Sequence, residues 1–385
     1  MKAIIHAKAV TPGGIVDNAV ILLENGLIKA LGADLEIPPG TEIVDAKGMW
    51  VGPGFVDIHL HGDGFDARWE DKPELVAAYH LRHGSTTMVA YLPYTLPKEK
   101  LLEATKMVQQ KLDDGLMPNV WAIGYEGPFI NPKQGANSEA AARPGTDPEE
   151  YIPLYEACHG KIAQWMYAPE MDACGQFGDF LREKGITAAI GHTEASPAQV
   201  RSAVDRGATM VTHLYDAMGC HLGNESWKIT GIIQDSAAVG CLICPELTFE
   251  IIPDSQGIHV KPSNMKLTYQ LAGPHRICII TDCTECDYDP ADYPKEHFRS
   301  TPDLNFNDAH ELSGSRLTMD MAVQNFGRHT GASVEDLFLM AATTPAKRIG
   351  IGHLTGSLVP GKWADLVILN EALQLQTVIF RGEVL

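Results

Sequence analysis

Histidines and carboxylates stand directly behind apolar, strand-like runs at several points along the chain. One run ends in Asp57-Ile58-His59-Leu60-His61-Gly62, another in Glu126-Gly127-Pro128, and three more in His192-Thr193, His213-Leu214 and Asp282. Imidazole and carboxylate are the ligands of Zn²⁺, Fe²⁺ and Mn²⁺. In His59-Leu60-His61 the two-residue repeat of an extended chain turns both rings to the same face. A lone histidine on a strand is usually a satisfied buried side chain. Four histidines and two carboxylates, delivered by five separate runs at matching ends, point instead to a centre for one or two divalent metal ions (Zn, Fe or Mn). Such an ion lowers the pKa of water from about 16 to about 7 and stabilises an oxyanion, the chemistry of hydrolysis at neutral pH.

The cysteines carry a different expectation. Cys241/Cys244 and Cys283/Cys286 have the C-x-x-C form, but the two pairs lie too far apart for a zinc ribbon. Cys241 and Cys244 fall in an apolar run that reads as a strand, where positions three apart face opposite sides. They are expected to be small, reduced core side chains.

To converge, the five runs must be strands of one sheet with a common C-terminal end. Candidate strands are Gly54–Leu60, Thr86–Tyr91, Val120–Tyr125, Ala163–Ala168, Thr187–Gly191, Thr209–Thr212, Ala238–Ile243 and Arg276–Thr281, with helical-period segments such as Pro97–Leu112 and Pro197–Arg206 between them. Eight strands alternating with helices predict an α/β fold, a (β/α)₈ TIM-like barrel over residues 52–355. Residues 1–51 read as short strands split by Pro12-Gly13-Gly14 and by Asn25-Gly26, a strong hairpin signal. Residues 356–385 resume that texture, in Ala364–Leu369 and Gln376–Gly382. Both termini are therefore expected to join in a small β-sandwich domain. The Pro/Asp-rich stretch Asp287–Asn307 reads as a long loop over the barrel mouth.

The composition is globular: 385 residues, 45% hydrophobic and 21% charged. A net charge of -19 argues against nucleic acid as a partner. No apolar run reaches the roughly 18 residues of a membrane span, and Met1–Ile5 alternates like a strand rather than a signal peptide. The expected setting is cytoplasmic, with no membrane partner.

Pro53–Gly62 resembles the opening motif of the amidohydrolase superfamily, and Gly361–Val367 its closing strand. Glu126–Pro132, Gly191–Ala195 and Thr212–Met218, with Ala168-Pro169-Glu170, Thr281-Asp282 and Ser313-Gly314-Ser315, resemble the N-acetylglucosamine-6-phosphate deacetylases. These motifs span the whole chain in family order. The resemblance implies a homodimeric deacetylase of an amino sugar, with a metal held by Glu126, His192 and His213. It implies that His59 and His61 hold a second ion, that Glu126 bridges the two, and that Asp282 is the general base and acid. It also assigns Ala136, Asn137, Asp216, Ala217, Asn224 and His259 to the substrate. Three of these depart from the family pattern: Asn137 stands for its histidine, Asp216 for its asparagine, and Asn224 for its phosphate-binding arginine. An added carboxylate and a lost guanidinium both disfavour a phosphate dianion; Lys228 or His221 could compensate. The first reading is an N-acetylglucosamine-6-phosphate deacetylase or close relative. The alternative is the same fold acting on an unphosphorylated N-acyl sugar or another small amide. A dihydropyrimidinase-like enzyme would carry a carboxylated, metal-bridging lysine on the fourth strand, a job that Glu126 after the third strand fills here. A non-catalytic relative would have lost Asp282 or a ligand, and none is lost.

Overall fold

The chain is described from a computed structural model, which defines residues 1–219, 235–285, 302–307, 309 and 311–385. Eight parallel strands pair strictly in chain order: Phe55–Asp57, Ser85–Leu92, Val120–Glu126, Ile162–Tyr167, Thr187–Ile190, Ala208–Val211, Thr248–Ile251 and Ile277–Ile279. The ring closes just beyond the last of them. Asp282 N–H donates to the His59 carbonyl at 2.9 Å, and His61 N–H to the Cys283 carbonyl at 2.6 Å. The strands are buried on both faces, so they read as near-continuous apolar runs rather than alternating ones.

Helices fill the crossovers, and their starts are legible. Pro197–Asp205 opens with Ser196, whose hydroxyl accepts from Gln199 N–H, while the Gln199 side chain reaches back to Ser196 N–H at 2.9 Å. Pro197 sits in the first turn, where its missing N–H costs nothing. Lys98–Asp113 likewise follows Pro97.

The seventh strand corrects the sequence reading. Ala238–Ile243 is not a strand; Ala237–Leu242 is a helix, capped by Ser236, whose hydroxyl accepts from Val239 N–H at 3.2 Å. A short apolar run has no period by which to tell helix from strand. The seventh strand is Thr248–Ile251, broken in the pattern by the charge of Glu250. Cys241 therefore lies on a helix, and Cys244 just after it. Both are buried free thiols, as is Cys283, while Cys286 lies outside the described residues. Most of the loop expected at Asp287–Asn307 also lies outside them. Its end, Leu304–Phe306, pairs with Leu312–Ser315.

Both termini build a second sheet of eight strands. Asn25-Gly26 is the tight turn its sequence promised: Glu24 pairs with Leu27, and φ is 52° and 76° at the two turn residues. Both angles are positive, as this mirror-image turn requires. Trp50–Pro53 joins the ends of the chain, running parallel to Lys2–Thr11 and antiparallel to Leu366–Leu369. The far edge curls back, with Ile28 N–H on the Lys362 carbonyl at 2.8 Å. Ile4, Ile21, Val51, Leu366 and Ile379 form a small core separate from the barrel's.

Candidate metal centre

Every candidate ligand emerges at the C-terminal end of its strand, where barrel chemistry resides. Glu126 is the last residue of the third strand; His192 and His213 follow the fifth and sixth, and Asp282 the eighth. The backbone turns sharply at three of them: φ is 46° at His192, 26° at His213 and 50° at Asp282. Non-glycine residues rarely occupy this left-handed region, which costs roughly 1–3 kcal/mol each where it is enforced. The turn swings each side chain into the mouth of the barrel. Gly135 shows how tightly the neighbouring loop is drawn in. Its φ is 106°, and a Cβ there would meet the His192 ring at 2.4 Å.

The six side chains form two buried triads, His59/His61/Asp282 and Glu126/His192/His213, each with its ligand atoms within 4.8 Å of one another. Glu126 stands between them. Its Oε1 lies 2.8 Å from His192 Nε2 and 3.1 Å from His213 Nε2, and its Oε2 3.3 Å from His61 Nε2. Asp282 Oδ1 is 3.3 Å from His61 Nε2 and 3.5 Å from His59 Nε2.

The histidine tautomers test whether a cation fits. His61 Nδ1 faces the Tyr91 carbonyl at 2.9 Å, His192 Nδ1 the Gln134 carbonyl at 2.9 Å, and His213 Nδ1 the Asp216 carbonyl at 3.2 Å. A carbonyl only accepts, so each Nδ1 must carry the hydrogen. His59 Nδ1 is 2.9 Å from the Glu250 carboxylate, which fixes it the same way. In the neutral rings, all four Nε2 atoms then present lone pairs inward. They meet in opposition, His59 to His61 at 3.3 Å and His192 to His213 at 3.1 Å. Facing lone pairs at such distances require a cation between them, a proton or a metal ion. The donor set, imidazole nitrogens with two carboxylates, suits a borderline divalent ion.

The electrostatics agree. Burial opposes charge on His61, but Glu126 and Asp282 outweigh it and hold the ring's pKa well above the usual value. Burial opposes charge on His213 too, yet Glu126, Asp282 and Asp216 move it up to about 10. Conversely, burial raises Glu126, and His192 and His61 pull it well below the normal carboxylate range. The carboxylates that hold protons on these rings would hold a dication in their place.

Sequence reasoning missed the layer beneath. Glu250, wholly buried, takes His59 on Oε2 and the Gln164 amide on Oε1 at 2.6 Å; Gln164 also donates to the Tyr91 hydroxyl at 3.0 Å. Its signal was a carboxylate inside Thr248-Phe249-Glu250-Ile251, hidden because the strand was sought elsewhere. Asp57, also buried, accepts from the Thr281 hydroxyl at 2.6 Å, and burial moves its carboxyl up to about 7.

Above the ligands opens a cavity of about 670 Å³. Ala136, Asn137, Asp216 and Ala217 line it as expected. His259 does not. It stands behind the wall, its ring between the Asp254 carboxylate at 3.1 Å and the carbonyl of the lining residue Gly314 at 3.1 Å. Asn224, with Lys228 and His221, lies outside the described residues. Arg68, Glu70, Tyr94, Glu285 and Glu311 also line the cavity and were not foreseen.

A (β/α)₈ barrel with histidine and carboxylate clusters at its C-terminal mouth defines a metal-dependent hydrolase. The profile of the Amidohydrolase family matches residues 161–385, and the chain belongs to that family. It is 29% identical over 362 residues to the N-acetylglucosamine-6-phosphate deacetylase of Rattus norvegicus, covering 88% of this chain and 84% of the rat protein. It is 26% identical over 385 residues to the N-acetylgalactosamine-6-phosphate deacetylase of Escherichia coli, covering 98% and 97%. The crystal structure of the N-acetyl-D-glucosamine-6-phosphate deacetylase of Mycobacterium smegmatis superposes with a TM-score of 0.80 at 27% identity, covering 100% of both chains. Among the described residues, no helix is long and apolar enough to cross a membrane.

Proposed function

We propose that this chain is a metal-dependent deacetylase that hydrolyses the N-acetyl group of an amino sugar, releasing acetate and the free amine. The observation that carries the reading is the inward convergence of four imidazole Nε2 atoms on Glu126 and Asp282 at the floor of the cavity. The deacetylase names of relatives aligned over nearly the whole chain support the choice of substrate class.

In this reading Glu126, His192 and His213 would hold one metal, and His59 and His61, with Glu126 beside them, would hold a second. Zinc, iron or manganese bound there would supply Lewis acidity and acidify a water molecule. Asp282 is the proton carrier. Burial raises its pKa, but His59 and His61 outweigh that and keep it below the usual value, so it is ionised and able to accept at neutral pH. It takes a proton from the attacking water as the water oxygen bonds to the acetyl carbon. It then returns the proton to the departing nitrogen as the C–N bond breaks. His59 and Glu126 stay fixed by their buried partners. Ala136, Asn137, Asp216 and Ala217 contact the sugar. A homodimer in the cytoplasm completes the proposal, and sedimentation tests the first part of it.

The decisive experiment offers the purified protein a panel of phosphorylated and unphosphorylated N-acyl sugars and assays free amine, with elemental analysis alongside. Amine release that a chelator abolishes and a divalent metal restores is the expected result. A protein that binds no metal on reconstitution refutes the reading.

A further inference from the structure

Beyond the candidate ligands, the cavity wall is acidic. Glu70, Asp216, Glu285 and Glu311 line it, against one described cation, Arg68. Arg68 is already engaged, 3.0 Å from Glu285 and 4.0 Å from Glu70. Among the described residues, the wall therefore presents three carboxylates more than it presents cations. One divalent metal at the floor would balance Glu126 and Asp282, and a second would still leave the wall with one carboxylate in excess.

Glu285 is satisfied by Arg68 at 3.0 Å and by the Thr284 hydroxyl, but the other three have room for donors. Glu70 Oε2 is buried with no hydrogen-bond partner, and burial, then Glu285, raises its pKa. Among the described residues, Asp216 takes one donor, Ala217 N–H at 3.0 Å. Glu311, at the rim, takes Asn307 Nδ2 at 2.8 Å and a long contact from Asn137 N–H at 3.4 Å. Asp216 and Glu311 face the same space as the metal floor. After burial, the charges pushing the Tyr94 phenol up are those of Glu126, Asp282, Asp216 and Glu311. A carboxylate oxygen buried in a ligand cavity without a donor is a vacancy for an N–H or ammonium group. A phosphate brought to the same wall would bring only acceptors and two more negative charges.

We propose that the cavity selects an N-acetylated amino sugar that carries a second, protonated amine remote from the acetamide, and that it disfavours a phosphate at that end. This rests on the deacetylase reading above. It reverses the charge preference that the names of the relatives imply for those proteins.

The test uses three matched substrates: N-acetylglucosamine with a 6-hydroxyl, a 6-phosphate or a 6-amino group. Acetate release is followed for the metal-loaded full chain. kcat/KM is expected to fall in the order amino, hydroxyl, phosphate, with at least tenfold between the ends. The amino-to-phosphate ratio should shrink as salt screens the wall. In Asp216→Asn with Glu311→Gln the same ratio should fall at least tenfold, whatever the absolute rates. Each single variant should move it the same way, which keeps the test decisive if the double variant misfolds. A preference for the phosphate, or a ratio untouched by the substitutions in folded protein, overturns the inference and leaves the deacetylase reading standing. No acetate from any of the three sugars overturns the deacetylase reading, and this inference with it.

Discussion

Glu250→Gln should weaken metal binding while leaving the fold intact, and the local hydrogen bonds explain why. Glu250 is fully buried, with one oxygen on His59 Nδ1 at 2.9 Å and the other on Gln164 Nε2 at 2.6 Å. A glutamine at 250 keeps an oxygen for His59 but turns an NH₂ toward the NH₂ of Gln164. Gln164 can relieve that conflict by flipping its amide, because its own oxygen is buried and unpartnered. The substitution thus removes a charge with little change of shape. A hydrogen bond to a charged group contributes about 1.5–3 kcal/mol, and a neutral one about 0.5–1.5. The difference, about 1 kcal/mol or slightly more, corresponds to roughly five- to tenfold in affinity for an ion held by His59. That lies at the low end of the 10–100-fold usual when a metal-binding histidine loses its carboxylate. Glu250→Ala should cost more, since it orphans both His59 Nδ1 and Gln164. The assay is competition of the metal-free protein with a chelating dye, read separately for the two binding steps, with circular dichroism to check folding. Folded variants with unchanged affinity at both steps would refute the reasoning.

Three further outcomes are expected. Asp282→Asn should fold and bind metal yet lose roughly 10²–10⁴ in kcat, the range for a lost acid–base group; a near-normal kcat would show that another group moves the proton. His59→Ala should cost the second metal more than the first by elemental analysis; loss of both would mean that the two triads are one interdependent unit. His80 is buried, donates from Nε2 to the Gly62 carbonyl at 2.9 Å, and is lowered by burial from 6.5 to about 4. The unfolded chain then binds the extra proton first, so stability present above about pH 6.5 should drain away toward pH 4, by about 3 kcal/mol. Urea unfolding at several pH values should show this slope, and His80→Gln should flatten it.

The barrel was legible because its strands are apolar on both faces and its helices start on prolines and capping residues. The candidate ligands were legible because histidine and carboxylate side chains stand behind five such runs. What failed has a physical cause in each case. Ala238–Ile243 carries as much hydrophobicity as a strand, but at that length periodicity decides nothing, and Ser236 caps it as a helix. Thr248–Ile251 is four residues long and carries a carboxylate at Glu250, so its sequence does not read as a buried strand, yet that carboxylate is fully buried beneath His59.

The deeper limit is backbone conformation. Residue types at His192, His213 and Asp282 announce ligands, but nothing in those letters announces φ values of 46°, 26° and 50°. Such angles persist only where the surroundings over-determine them. Here the fixing bonds come from distant segments. Asp282 N–H reaches the His59 carbonyl at 2.9 Å, Ser315 N–H the Asp282 carbonyl at 2.7 Å, Leu214 N–H the Glu250 carbonyl at 2.9 Å, and Thr193 N–H the Ala217 carbonyl at 3.1 Å. Each bond joins the loop after one strand to a strand end or loop elsewhere, so the strained turns hold only when the barrel is closed. The same interlocking that aims the imidazoles therefore couples them: loosening one loop relaxes the turn of its neighbour. The backbone that aims the imidazoles is therefore set by the whole barrel mouth, while the ligand atoms themselves divide into two triads.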